Sequence, residues 1–159
     1  MSDARPVVGI VYGSPSDQEV IAAAEKVLDK FGVPFESKMM SAHRMPGTVT
    51  EWATTARDRG IKVIIASAGL AAHLGGVVAA HTTLPVLGVP VSGGIANGLD
   101  ALLSMVQMPA GVPVGTLAVD RHGAKNAAVL AVSILSLSDE GLAKKLDEFK
   151  TEMAGGGRL

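Results

Sequence analysis

Cysteine is absent from the 159 residues. That removes disulfides, thiolate metal sites and a thiol nucleophile together, and it suits a reducing compartment. Aromatic residues amount to 3%, too few for the stacking platforms that grip single-stranded nucleic acid. Cations are not in excess: 14 basic residues face 15 acidic ones, for a net charge of −1, so a phosphate polymer would find little to neutralise it. No apolar run approaches the roughly 20 residues that span a bilayer. The opening MSDARPVVGIVYG also lacks the basic start and long apolar stretch of a secretory signal. Nucleic acid and membrane are therefore not expected partners, and the expected setting is the cytoplasm.

What is present is apolar bulk, 48% of the chain, with only 18% charged. This suits one domain with one sizeable core. Four short, nearly all-apolar runs read as strands buried on both faces: 6–12, 62–67, 84–91 and 112–119. PFESKMM (34–40) is a weaker fifth. Helical patterns separate them. In SDQEVIAAAEKVLDKFG, Val20, Ala24, Val27, Leu28 and Phe31 form one stripe, Ser16 and Glu19 stand at capping-box spacing, and Gly32 ends the run. TVTEWATTARDRG repeats the design with Thr48 and Glu51 as the box and Gly60 as the stop. Further helices are expected at about 71–82, 98–107 and 123–137. Alternation of this kind predicts a flavodoxin-like three-layer αβα sandwich with a five-stranded parallel sheet of order 2-1-3-4-5. A last amphipathic helix, 138–153, carries Leu142, Leu146, Phe149 and Met153 on one stripe and is expected to cover either its own core or a neighbouring subunit. GGGRL (155–159) reads as a flexible tail.

In such a fold ligands bind beyond the carboxyl ends of the strands. That points to the loops after strands one, two and three: GSPSD, SAHRMPG and AGLAAHLGG. In the first, Gly13 permits a tight turn, and Ser14 and Ser16 offer hydroxyls beside a helix start. The loop matches neither a P-loop nor a complete dinucleotide fingerprint. Asp17 would repel a phosphate and is better suited to a ribose diol; equally, Ser16 could cap the helix and Asp17 complement its dipole. In the second, Arg44 can hold a phosphate bidentately, Ser41 can add a hydroxyl, and His43 can carry a proton near neutral pH. A surface arginine beside a capping histidine is the plainer reading. In the third, the small side chains of Ser67–Gly76 let main-chain N–H groups approach a ligand or let a helix pack tightly. His73 is a ligand contact or a satisfied core residue. VQMPAGVPVGT (106–116) is a rigid loop that either leans over a ligand or is a well-made turn. The remaining histidines, His81 and His122, need no function. The four histidines show neither HxxxH nor HxH spacing, so no metal is expected.

Together, GSPSD, SAHR, AGLAAHLGG and VQMPAGVPVGT, in this order and spacing over about residues 6–150, resemble the PurE-type N5-carboxyaminoimidazole ribonucleotide mutases of bacterial purine synthesis. The resemblance implies an isomerase that converts N5-carboxyaminoimidazole ribonucleotide to its 4-carboxy isomer with no metal and no organic cofactor. It makes His43 the general acid/base. It gives Ser14, Ser16, Asp17, Ser41, Ala42 and Arg44 to substrate binding, and it places Ala68, Gly69, Leu70, Ala71, His73 and Leu74 beside the reacting carboxyl group. It also implies a homo-octamer in which the last helix of a 1–154 domain lies on a neighbour. Leu70 stands where the family usually has glycine, Gly75 where it has proline, and SGGIANGLD differs from the family's version at Asn97. The rival readings are a carboxylase that takes free carbon dioxide, and a ribotide-binding module without catalysis.

Overall fold

The apolar runs pair into one parallel sheet. In the computed structural model, which describes residues 5–159, β1 (Val8–Tyr12), β2 (Phe35–Met39), β3 (Val63–Gly69), β4 (Val86–Val91) and β5 (Gly115–Thr116) lie in the order β2-β1-β3-β4-β5. The first four residues, with which the expected domain and the MSDARPVVGIVYG segment begin, lie outside the described residues. Six α-helices connect and cover the strands: α1 (Gln18–Phe31), α2 (Pro46–Thr54), α3 (Leu74–His81), α4 (Leu99–Val106), α5 (Asp120–Ser136) and α6 (Glu140–Ala154).

Because successive strand residues point to opposite faces, β1, β3 and β4 feed two cores. Val8, Ile10, Val63, Ile65, Leu87 and Val89 pack under α1, α5 and α6. Val11, Ile64, Ala66 and Val86 pack under α2, α3 and α4. Close approach is bought by small residues: Ala124, Ala127, Ala128 and Ala131 are fully buried along α5. A Cβ on Gly9 would come within 3.0 Å of the Trp52 ring, and one on Gly123 within 1.6 Å of the Ala118 carbonyl oxygen. Of the α6 stripe, Phe149, Leu142 and Leu146 pack on the chain's own core, while Met153 is exposed. Phe149 meets Phe31 edge-to-face at 5.4 Å, and Lys145 donates to the Phe31 carbonyl at 2.6 Å. Leu159 packs against the edge of this same core.

The structure corrects both expected capping boxes. The helical path into α1 starts at Pro15 as a short 3-10 turn, capped by Ser14, whose hydroxyl accepts from the Ser16 N–H at 3.4 Å; Ser16 is not the cap. Helix α2 starts at Pro46, so Thr48 is already inside it. Proline suits the first helical position because its φ is preset and its missing N–H would have had no partner there. Helix α2 also ends at Thr54, short of Gly60. The Thr54 and Thr55 hydroxyls donate to the carbonyls of Thr50 and Glu51 at 2.9 and 2.8 Å, competing with the helical ladder. The expected 112–119 strand pairs only at Gly115–Thr116. Val114 instead packs into the hollow over Gly88, where a Cβ would come within 2.8 Å of it.

Candidate active site

A cleft of about 850 Å³ opens at the carboxyl ends of β1, β3 and β4. Its construction begins with the parallel register. Gly13 donates its N–H to the Ser67 carbonyl at 3.1 Å, and Met40 donates to Tyr12 at 2.9 Å, which ties the loops after β1, β2 and β3 to a common edge.

Residues Ser41–Arg44 form a single helical turn, closed by the Met45 N–H donating to the Ser41 carbonyl at 2.8 Å. Ser41 is buried, and its hydroxyl accepts from the Arg44 N–H at 3.4 Å. The turn leaves His43 and Arg44 exposed at the mouth. Arg44 reaches back across the edge, and its Nη2 donates to the Gly13 carbonyl at 3.1 Å. A guanidinium has five donors, so this bond orients the fork and leaves donors for an anion.

Asp17 sits below this level and is only 4% exposed. It accepts from the Ser16 hydroxyl at 3.2 Å. Burial holds its carboxyl above the usual aspartate value; hydrogen bonds from Ser16 and from the main chain at Ser14 and Gly13 oppose that shift without cancelling it.

The third loop forms the opposite wall. His73 is exposed rather than held in the core, and its Nδ1 lies 2.8 Å from His43 Nε2 with the rings nearly perpendicular at 88°. One facing nitrogen must donate and the other accept, so the contact is a single hydrogen bond between two imidazoles. Leu70 adopts φ 55° and is 61% exposed. The turn thus demands a left-handed residue, and this chain meets the demand with leucine at a conformational cost.

The structure brings every residue expected at the site to this one cleft. Ser14, Ser16 and Asp17 come from the first loop, Ser41, Ala42, His43 and Arg44 from the second, and Ala68, Gly69, Leu70, Ala71, His73 and Leu74 from the third. The sequence reading missed a fourth wall. Ser92 and Gly93 follow β4, and Asp120 and Arg121 open α5. The Asp120 carboxylate accepts from the Ser92 N–H at 2.8 Å, and Arg121 pairs with Glu19 at 3.1 Å. The small-residue run SGG at the end of β4 was the available signal, since the carboxyl-end rule applies to β4 as it does to β3. VQMPAGVPVGT does not line the cleft; its Val114 and Met108 pack against Gly75 and Gly76. His81 and His122 also lie away from it. Among the described residues, no group of three His, Asp or Glu side chains could hold a metal ion, and no helix is long and apolar enough to cross a membrane.

Residues 7–155 match the family model described as AIR carboxylase. The N5-carboxyaminoimidazole ribonucleotide mutase of Bacillus subtilis is 58% identical over 144 residues, covering 91% of this chain and 89% of that one. The protein of the same name from Pyrococcus abyssi is 53% identical over 148 residues, covering 93% and 84%. The crystal structure of Treponema denticola PurE superposes with a TM-score of 0.86 at 28% identity, covering 96% of this chain and 94% of that one.

Proposed function

Because the chain belongs to the AIR carboxylase family, we propose that it interconverts N5-carboxyaminoimidazole ribonucleotide and 4-carboxyaminoimidazole ribonucleotide, the reaction for which its relatives are named. It is an isomerase of purine biosynthesis. The observation that carries the mechanism is the 2.8 Å contact between His43 and His73 across the cleft.

The chemistry follows from the walls. Arg44 and the hydroxyls of Ser14, Ser16 and Ser41 hold the ribotide phosphate, and Asp17 accepts from the ribose hydroxyls. The aminoimidazole then lies toward the small-residue wall of Ala68–Leu74. There the bond between the exocyclic nitrogen and its carboxyl group breaks. Carbon dioxide leaves as a neutral molecule, which a poorly hydrated wall favours over a carboxylate. His43 gives a proton to the nitrogen that keeps the electron pair. The ring carbon attacks the trapped carbon dioxide, a carbon–carbon bond forms, and His43 takes the proton that the ring carbon loses. The gas never dilutes into solvent, so recapture is effectively intramolecular. His73 holds the His43 ring and can accept or return its hydrogen between the two transfers.

The same reading has residues 1–154 acting as one domain in a cytoplasmic homo-octamer. Support for subunit packing comes from α4, where Leu99, Leu103 and Val106 form an exposed apolar stripe. The names of the curated relatives favour the mutase over a carboxylase that uses free carbon dioxide. The decisive experiment feeds the two substrates separately to purified protein. The carbamate ribotide should be converted in carbon dioxide-free buffer at the full rate. Turnover only of aminoimidazole ribonucleotide plus bicarbonate would make the protein a carboxylase, and saturable binding without product in either arm would make it a binding module.

A further inference from the structure

Beside the cleft, on the outer side of α1 and α5, lies a second basin of about 560 Å³. Five cationic side chains surround it: Lys26 and Lys30 from α1, Arg121 and Lys125 from α5, and Arg158 from the chain's last residues. Glu19 is the one acidic side chain that lines it; the main-chain carboxyl end at Leu159 lies there too, and Glu152 stands on the rim against Lys30. In a protein of net charge −1, this is a concentrated positive field. Internal partners consume only part of it. Lys30 pairs with Glu152 at 2.9 Å, Arg121 with Glu19 at 3.1 Å, and Lys125 donates to the Leu159 main-chain oxygen at 2.6 Å. Among the described residues, Lys26 and Arg158 have no carboxylate within ion-pair distance. The floor is apolar, formed by Ala22, Ala23 and Val27 of α1.

We propose that this basin is a second ligand site, distinct from the ribotide cleft, for a phosphorylated small molecule carrying three or more negative charges. Its volume suits a nucleotide-sized ligand. Multiple cations around one concavity match clustered phosphate oxygens better than they match a single carboxylate. The apolar floor offers a surface for a base, so a nucleoside triphosphate uses both features and an inorganic polyphosphate uses only the rim. Arg121 and Glu19 line the cleft and the basin alike. A polyanion on Arg121 competes with Glu19 for the guanidinium, which places occupancy of the basin in direct contact with the mouth of the cleft.

The test is equilibrium dialysis of the full-length protein, without ribotide, against ATP, inorganic tripolyphosphate and adenosine. ATP and tripolyphosphate should bind saturably, with affinity that falls as salt rises, and adenosine should not. Tighter binding of ATP than of tripolyphosphate identifies a nucleotide site; equal binding identifies a phosphate site. Lys26→Glu combined with Arg158→Glu should weaken both at least tenfold with an unchanged circular dichroism spectrum, and Lys26→Gln serves as the milder variant. His43→Asn should bind both as the unaltered protein does. Saturating ribotide should leave the polyanion bound and shift its affinity by two- to tenfold. Complete displacement by ribotide, indifference to the Lys26 and Arg158 substitutions, or no binding at millimolar ligand would each overturn the proposal. None of these results depends on which purine reaction the cleft performs.

Discussion

The two faces of the sheet and its carboxyl edge are built from different materials. Under α1, α5 and α6 lie closely packed aliphatic residues and the Phe31–Phe149 pair, all buried. At the edge stand exposed His43, Arg44 and His73, a buried carboxylate, and two left-handed residues, Leu70 in a loop and Asp120 at the start of α5. The faces bury apolar area and supply stability. At the edge a buried carboxylate and left-handed non-glycine residues cost stability, while the exposed imidazoles and guanidinium stay free to meet a ligand. Substitutions in the two regions should therefore be separable: one class lowers turnover on an intact fold, the other lowers stability with an intact site.

The largest separation should come from His43→Asn. Loss of a general acid/base removes about 10²- to 10⁴-fold of rate, and an exposed side chain leaves stability within about 0.5 kcal/mol. Steady-state kinetics alongside thermal melting checks both halves; a variant with full turnover would end the proton-carrier assignment. The reverse case is Phe149→Ala, which empties a buried aromatic position that is 6% exposed. It should cost about 3 kcal/mol in denaturant unfolding with kcat unchanged in the folded fraction. A fall in kcat would show that α6 reaches the cleft and would blur the division between face and edge.

Asp17 tests the boundary, because it is an edge residue buried like a core one. Its raised value means that the folded protein binds this proton more tightly than the unfolded chain does. Stability therefore falls as pH rises from the ordinary 3.8 through the raised folded value, and the loss is complete above that value. Asp17→Asn should flatten the pH–stability curve across that window and leave the variant more stable than its parent at pH 7. Its affinity for ribotide should drop about tenfold through the lost charge-assisted hydrogen bonds. The smallest effect belongs to Leu70→Gly. Relief of φ 55°, offset by the greater freedom of glycine in the unfolded chain, should gain about 0.5–1 kcal/mol, measured by chemical denaturation.

Much of the fold was legible because apolar periodicity is a local property. The runs 6–12, 62–67 and 84–91 and the stripes of α1 and α6 pointed to the strands and helices now seen. The errors were equally local in origin. Pro15 and Pro46 outranked Ser16 and Thr48 as helix starts, and α2 gives way to turns after Thr54, well before Gly60. The candidate site was readable in three of its walls because histidine, arginine and aspartate are conspicuous in a chain so poor in charge. Ser92 and Gly93 are small and uncharged and so less conspicuous, although the expected order already set β4 beside β3 and the carboxyl-end rule covers the loop after it as well.

From the chain alone came the alternation that makes a parallel sheet, and with it the loops that must share one edge. Tertiary structure alone placed His43 Nε2 within 2.8 Å of His73 Nδ1, turned Arg44 back onto the Gly13 carbonyl, and buried Asp17 beneath both. The reason is physical. Hydrophobic pattern decides which segments are buried, and it acts over a few residues. The distance between two side chains thirty positions apart depends on strand register and on the packing of two cores, which no short stretch of sequence contains.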